Sequence, residues 1–102
     1  MNKLSYKLFF KAFSNKTRFK IIQLLRKKPK SVTEICNELD FEQSRVSHNL
    51  KCLKNCGFVN AQRNGKNKIY ELDNKHIVPM LKEIDKHLEE YNKRLKSCGI
   101  LK

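Results

Sequence analysis

Residues 31–67, SVTEICNELDFEQSRVSHNLKCLKNCGFVNAQRNGKN, decide how the rest of the chain is read. Ser31, with Glu34 three positions on, has the form of a capping box that opens a helix. Val32, Ile35, Cys36 and Leu39 then recur at helical spacing as its inward face. Asp40-Phe41-Glu42 is a polar turn. A second helix is expected from Gln43 to about Cys56, with Val46, Leu50 and Leu53 as its core stripe, and it stops at Gly57, the usual residue for a left-handed C-terminal cap. Phe58 to Arg63 and Lys68 to Leu72 have the character of two strands. Asn64-Gly65 between them suits the positive φ angles of a tight hairpin turn, and Arg63, Lys66 and Lys68 crowd its tip. Helix, turn, helix and basic hairpin in this order predict a mainly α fold with a small β-hairpin, a winged helix-turn-helix.

Upstream, Leu4, Leu8, Phe9, Ala12 and Phe13 keep helical spacing with Lys3, Lys7 and Lys11 between them, so an amphipathic helix that needs a partner surface is expected. Ser14 or Asn15 caps the next helix, Lys16 to about Lys27, whose Phe19, Ile21, Ile22, Leu24 and Leu25 make a broad apolar face ended by Pro29. Downstream of the hairpin, a last helix from Asn74 onward carries Ile77, Leu81, Ile84, Leu88, Tyr91 and Leu95 in a heptad stripe. With no later segment to cover it, the stripe predicts pairing with a second copy of the chain, and Pro79 is tolerable in its first turns. No linker or internal repeat interrupts residues 1–102, which are expected to form one domain.

Twenty-three Lys and Arg against ten Asp and Glu give a formal charge of +13. An excess of this size in a small chain points to a polyanion. Double-stranded DNA is the first candidate and an anionic membrane surface the second; gathering of the basic residues at the hairpin and helix ends favours DNA. No apolar run approaches the roughly 18 to 20 residues a membrane span needs, and MNKLSYKLFFKAF lacks a signal-peptide cleavage pattern, so a cytoplasmic protein is expected. Four cysteines in that compartment are thiols or metal ligands rather than disulfides. A phosphate-binding glycine loop and a Ser-His-acid arrangement are both missing, so no enzyme is expected.

A recognition helix enters the major groove with short or forked polar side chains near its N-terminus. Gln43, Ser44, Arg45, Ser47 and His48 meet that requirement, and Arg63, Lys66 and Lys68 would reach phosphates or the minor groove beside it. At about 100° per residue, Arg45, His48, Cys52 and Cys56 all fall on a different side from Val46, Leu50 and Leu53. Cys52 and Cys56 form an i, i+4 pair able to grip one soft ion, with Cys98 as a third thiolate supplied from a partner chain; the plain alternative is that they pad the groove between helix and wing. His76, His87 and Glu90, spaced eleven and three, are a second and weaker candidate for a metal such as zinc; the alternative is a solvated polar face. Cys36 shares the inward stripe of its helix and belongs to the core.

LFFKAFSNKTRFKIIQLL (residues 8–25), VTEICNELDFEQSRVSHNLKCLKNCGFV (residues 32–59) and RNGKNKIYELD (residues 63–73) together resemble the ArsR/SmtB family of small dimeric bacterial and archaeal repressors. The resemblance implies a homodimer held by its first and last helices, seated on a palindromic operator and released when metal binds. LKCLKNCG followed by a tail cysteine is similar to the family's cadmium- and lead-sensing branch, which implies Cys52, Cys56 and Cys98 as ligands of Cd, Pb or Zn. His76, His87 and Glu90 resemble the family's zinc site on paired C-terminal helices, normally completed by an acid two residues before the first His. Here that position is Asn74, a poorer ligand than a carboxylate, with Asp73 adjacent. Cys36 falls where some arsenic and cadmium sensors place a cysteine pair, and Lys16 stands where the family often has Pro. Two alternatives stay open: a redox or persulfide switch using the same cysteines, and an architectural DNA-binding protein in which the charge itself is the function.

Overall fold

The computed structural model describes residues 3–97 and 99. Five helices and a small sheet follow in the order α1 (Lys3–Ser14), α2 (Lys16–Leu25), β1 (Lys30–Ser31), α3 (Val32–Leu39), α4 (Gln43–Asn55), β2 (Val59–Asn64), β3 (Asn67–Leu72) and α5 (Ile77–Ser97). The winged helix-turn-helix expected from residues 31–67 is present.

Its local signals act as their chemistry requires. The Ser31 hydroxyl accepts the Glu34 backbone N–H at 3.2 Å while the Glu34 carboxylate accepts that of Ser31 at 2.9 Å, closing the capping box of α3. Asn15, rather than Ser14, caps α2 by accepting from the Arg18 N–H. Asp40 ends α3 with φ of 56°, a left-handed position that Asp tolerates better than most residues. Gly57 follows α4 with φ of +79°. α2 stops at Leu25, before Pro29 is reached, with Arg26 as its C-cap.

Two differences from expectation concern the sheet. A short strand, β1, pairs antiparallel with β3 through Lys30 opposite Tyr70 and Ser31 opposite Ile69, so the hairpin is part of a three-stranded sheet ordered β1-β3-β2. Two residues are too short for a periodic signal; only β3's free edge recruits them. The hairpin turn also lies one residue later than Asn64-Gly65. Asn64 pairs with Asn67, leaving Gly65-Lys66 as the loop, and only Gly65 of the two has positive φ, at 65°. That places glycine first in the loop, as a type II′ turn requires.

The core joins α2, α3, α4, the sheet and the start of α5. Ile21, Ile22, Ile35, Val46, Leu50, Leu53 and Phe58 are completely buried. Phe58 lies beneath α1, with ring centroids 5.0 Å from Phe9 and 5.9 Å from Phe13. Cys36 packs against this core, as its place on the inward stripe predicts. Phe19, expected inside, is 44% exposed on the outer side of α2.

The terminal helices split their apolar residues. Ala12 is buried and Phe9 and Phe13 pack on the core, whereas Leu8 and Phe10 are exposed. On α5, Ile77 and Leu81 are buried in the protomer, while Ile84, Leu88 and Tyr91 remain 37 to 43% exposed. Arg26 at the end of α2 makes a bidentate ion pair with Asp85, anchoring α5 where its apolar stripe leaves the core. The pair raises the Arg26 guanidinium and holds the Asp85 carboxyl below the usual carboxylate range, through their hydrogen bonds first.

Candidate nucleic-acid and metal-binding surface

α4 carries the candidate site, and the rigidity of that helix comes from what it buries. Val46, Leu50 and Leu53 are wholly inside. Asn49, three residues after Val46 and four before Leu53, is also buried, and it is the member of this surface that sequence reasoning missed. Its amide N–H donates to the Arg45 carbonyl at 2.8 Å and its carbonyl accepts from the Arg18 Nε–H at 3.1 Å. The helical spacing was the available signal: an asparagine at a core position of a helix must find partners.

Gln43, Ser44, Ser47 and His48 are exposed along the first turns of α4. Arg45 is exposed beside them and is also held from behind. Its Nε–H and Nη2–H both donate to the Thr17 hydroxyl, at 3.1 and 2.6 Å, and its guanidinium lies 3.8 Å from the centre of the Phe41 ring. Arg45 and Asn49 thereby tie α4 to α2 through adjacent residues, Thr17 and Arg18. Glu42 is the N-cap of α4 but makes no side-chain capping bond, so the first backbone N–H groups of that helix lack a side-chain cap at their N-terminus. β2 packs against α4, and the exposed Arg63, Lys66 and Lys68 occupy the hairpin tip, with the Lys68 ammonium 5.9 Å from the Tyr70 ring.

Farther along α4, Cys52 is half-buried and its sulfur lies 4.0 Å from the Nε2 of His48. Cys56 is the exposed C-cap residue. Cys98 lies outside the described residues. Thiolate and imidazole donors at i, i+4 spacing suit a thiophilic or borderline ion, so the donor set of α4 fits the metal implied by the resemblance. Among the described residues, no three His, Cys, Asp or Glu side chains of one protomer come together as a metal centre; the three-thiolate arrangement would need the tail.

The second candidate lies at the start and along the length of α5. His76 immediately precedes the first residue of α5, Ile77, and its carbonyl accepts the Met80 N–H at 3.0 Å. Asp73 accepts the backbone N–H of His76 at 2.8 Å and of Ile77 at 3.2 Å, and these bonds, that to His76 first, lower its pKa. It caps α5 and is engaged in that role. His87 and Glu90 are exposed, and the His87 ring stacks on Tyr91 at 5.8 Å.

Comparison with known proteins agrees with this architecture. A family profile described as "Bacterial regulatory protein, arsR family" matches residues 15–61, from the cap of α2 into β2. The chain is 36% identical over 78 residues to the HTH-type transcriptional regulator NmtR of Mycobacterium tuberculosis, covering 76% of this chain and 65% of that protein, just under two thirds of its length. It is 32% identical over 82 residues to the cadmium resistance transcriptional regulatory protein CadC homolog of Staphylococcus aureus, covering 79% of this chain and 68% of that one. The crystal structure of M. tuberculosis Rv0081 superposes with a TM-score of 0.78 at 31% identity, over 92% of this chain and 97% of that one. With fold, helix order and sequence in agreement over most of its length, the chain belongs to the arsR family of bacterial regulatory proteins.

Proposed function

We propose that this protein is a cytoplasmic, homodimeric transcriptional repressor that binds a palindromic DNA operator and releases it when a thiophilic or divalent metal ion binds. The observation that carries this reading is α4 itself. One face is completely buried at Val46, Leu50 and Leu53, while Gln43, Ser44, Ser47 and His48 stand exposed at the N-terminal end that a recognition helix presents to base edges. Arg63, Lys66 and Lys68 on the adjoining hairpin supply positive charge for phosphates. Arg45, held by Thr17 and Phe41, orients the helix.

Dimerisation follows from the terminal helices. Leu8 and Phe10 on α1, with Ile84, Leu88 and Tyr91 on α5, leave apolar surface on a small domain that gains by burying it against a second copy. Cys52 and Cys56, completed by Cys98, are the first-choice ligands; His76, His87 and Glu90, at the start and along the length of α5, are the weaker set. A metal bound at α4 and held by the partner's tail would tie the reading helix to the dimer interface and bias half-site spacing. Coupling of this kind is reciprocal, so operator DNA weakens metal binding by the same factor.

Selection of bound duplexes from a random library, followed by Cd²⁺ titration of the complex, tests the proposal. Release should accompany a near-ultraviolet thiolate-to-metal absorbance. Persistence of that absorbance in a Cys52→Ser, Cys56→Ser double variant would remove these ligands from consideration. Equal affinity for random and selected duplexes at every salt concentration would instead favour the architectural alternative.

A further inference from the structure

The donors along α4 form a row, His48, Cys52 and Cys56, each four residues from the next. Neighbours in such a row can share an ion, but the two ends cannot, because eight residues advance about 12 Å along a helix. An ion held by Cys52 therefore closes either toward Cys56, at the far end of α4, or toward His48, at the end proposed to read DNA. Cys52 sulfur lies 4.0 Å from the His48 Nε2. Ligand bonds of about 2.3 Å to sulfur and about 2.0 Å to nitrogen reach up to roughly 4.3 Å between donors, so this separation already accommodates one ion. Cys56 is the C-cap, where the helix closes through the Phe58 N–H bond to the Leu53 carbonyl at 2.9 Å.

We infer that His48 and Cys52 form an imidazole–thiolate chelate for a borderline d¹⁰ ion such as Zn²⁺, and that metal and DNA compete directly for His48. The inference rests on the reading of Cys52 as a ligand and deepens it. Binding deprotonates the Cys52 thiol and engages the neutral imidazole through Nε2, releasing the thiol proton to solvent. Water or a residue from elsewhere in the dimer completes the coordination shell. The mixed nitrogen and sulfur pair favours zinc over the larger, softer ions that two thiolates would select. At this pair, repression and sensing use one side chain, a direct competition beside the coupling through the dimer interface that the three-thiolate site would supply.

The test uses DNA-free, full-length protein and Zn²⁺ competed against a chromophoric chelator, with side-chain ¹⁵N resonances of His48 followed by NMR. Loss of a direct ligand should weaken Zn²⁺ at least as much as loss of a supporting one, about tenfold or more. Wild type should bind Zn²⁺ with a shift of the His48 Nε2 resonance, and His48→Gln should lose tenfold or more. His48 is exposed, so circular dichroism of His48→Gln should match wild type. An unmoved His48 resonance, or unchanged affinity in His48→Gln alongside collapse in Cys56→Ser, overturns the inference while leaving Cys52 as a ligand. Unchanged affinity in Cys52→Ser overturns both.

Discussion

The contact between Thr17 and Arg45 gives the sharpest measure of what holds the reading helix in place. One hydroxyl oxygen accepts two N–H groups from one guanidinium, at 3.1 and 2.6 Å, and the same guanidinium stacks on Phe41. Hydrogen bonds to charged groups contribute about 1.5–3 kcal/mol net when shielded from water. Arg45 is exposed as a residue, so part of that is recovered by hydration and the expected coupling is about 1–2 kcal/mol. A double-mutant cycle of Thr17→Val and Arg45→Met isolates it, because loss of the Phe41 stack occurs along both Arg45 arms and cancels. Urea unfolding at fixed protein concentration is the assay, since a dimer's stability depends on concentration. Thr17→Val alone should lower the melting temperature by about 4–8 °C per kcal/mol. A coupling energy under about 0.3 kcal/mol would refute the idea that this bond clamps α4 to α2.

Three further outcomes are expected. Phe58→Ala, which removes a completely buried ring from beneath Phe9 and Phe13, should cost about 3–5 kcal/mol by urea unfolding. Lys66→Ala and Lys68→Ala should each flatten the slope of log affinity against log salt by about 0.9 without changing the preferred operator, as phosphate contacts do. Stability should also fall in acid, because the Asp73, Asp85 and Glu34 carboxyls all have folded pKa values depressed by hydrogen bonds to backbone or to Arg26. Their contribution is present above the ordinary carboxylate pKa of about 4 and disappears as pH drops through the lower folded values. Thermal melts between neutral pH and pH 3 should show it, with a shallower dependence in Asp73→Asn.

Most of the architecture was legible in the linear chain because its signals are local. A capping box at Ser31 and Glu34, the stop at Gly57 and the stripe Val46, Leu50, Leu53 each depend on residues within a few turns of one another, and each is found where the spacing puts it. What tertiary structure decided involves partners distant in sequence or side chains taken up as caps. β1 exists only because β3 offers it an edge. Asp73, adjacent to the Asn74 that stands where an acidic ligand was sought, is instead spent on the backbone N–H groups of His76 and Ile77 at the start of α5. Arg45 faces away from the core stripe as the helical wheel requires, yet it leans back to Thr17, 28 positions earlier, because a guanidinium finds a hydroxyl and an aromatic ring there together. The sequence by itself determined that α4 would be buried on one side and polar on the other. Only the folded chain decided which polar side chains hold the helix and, through the approach of Cys52 to His48, which of them stand together at its reading end.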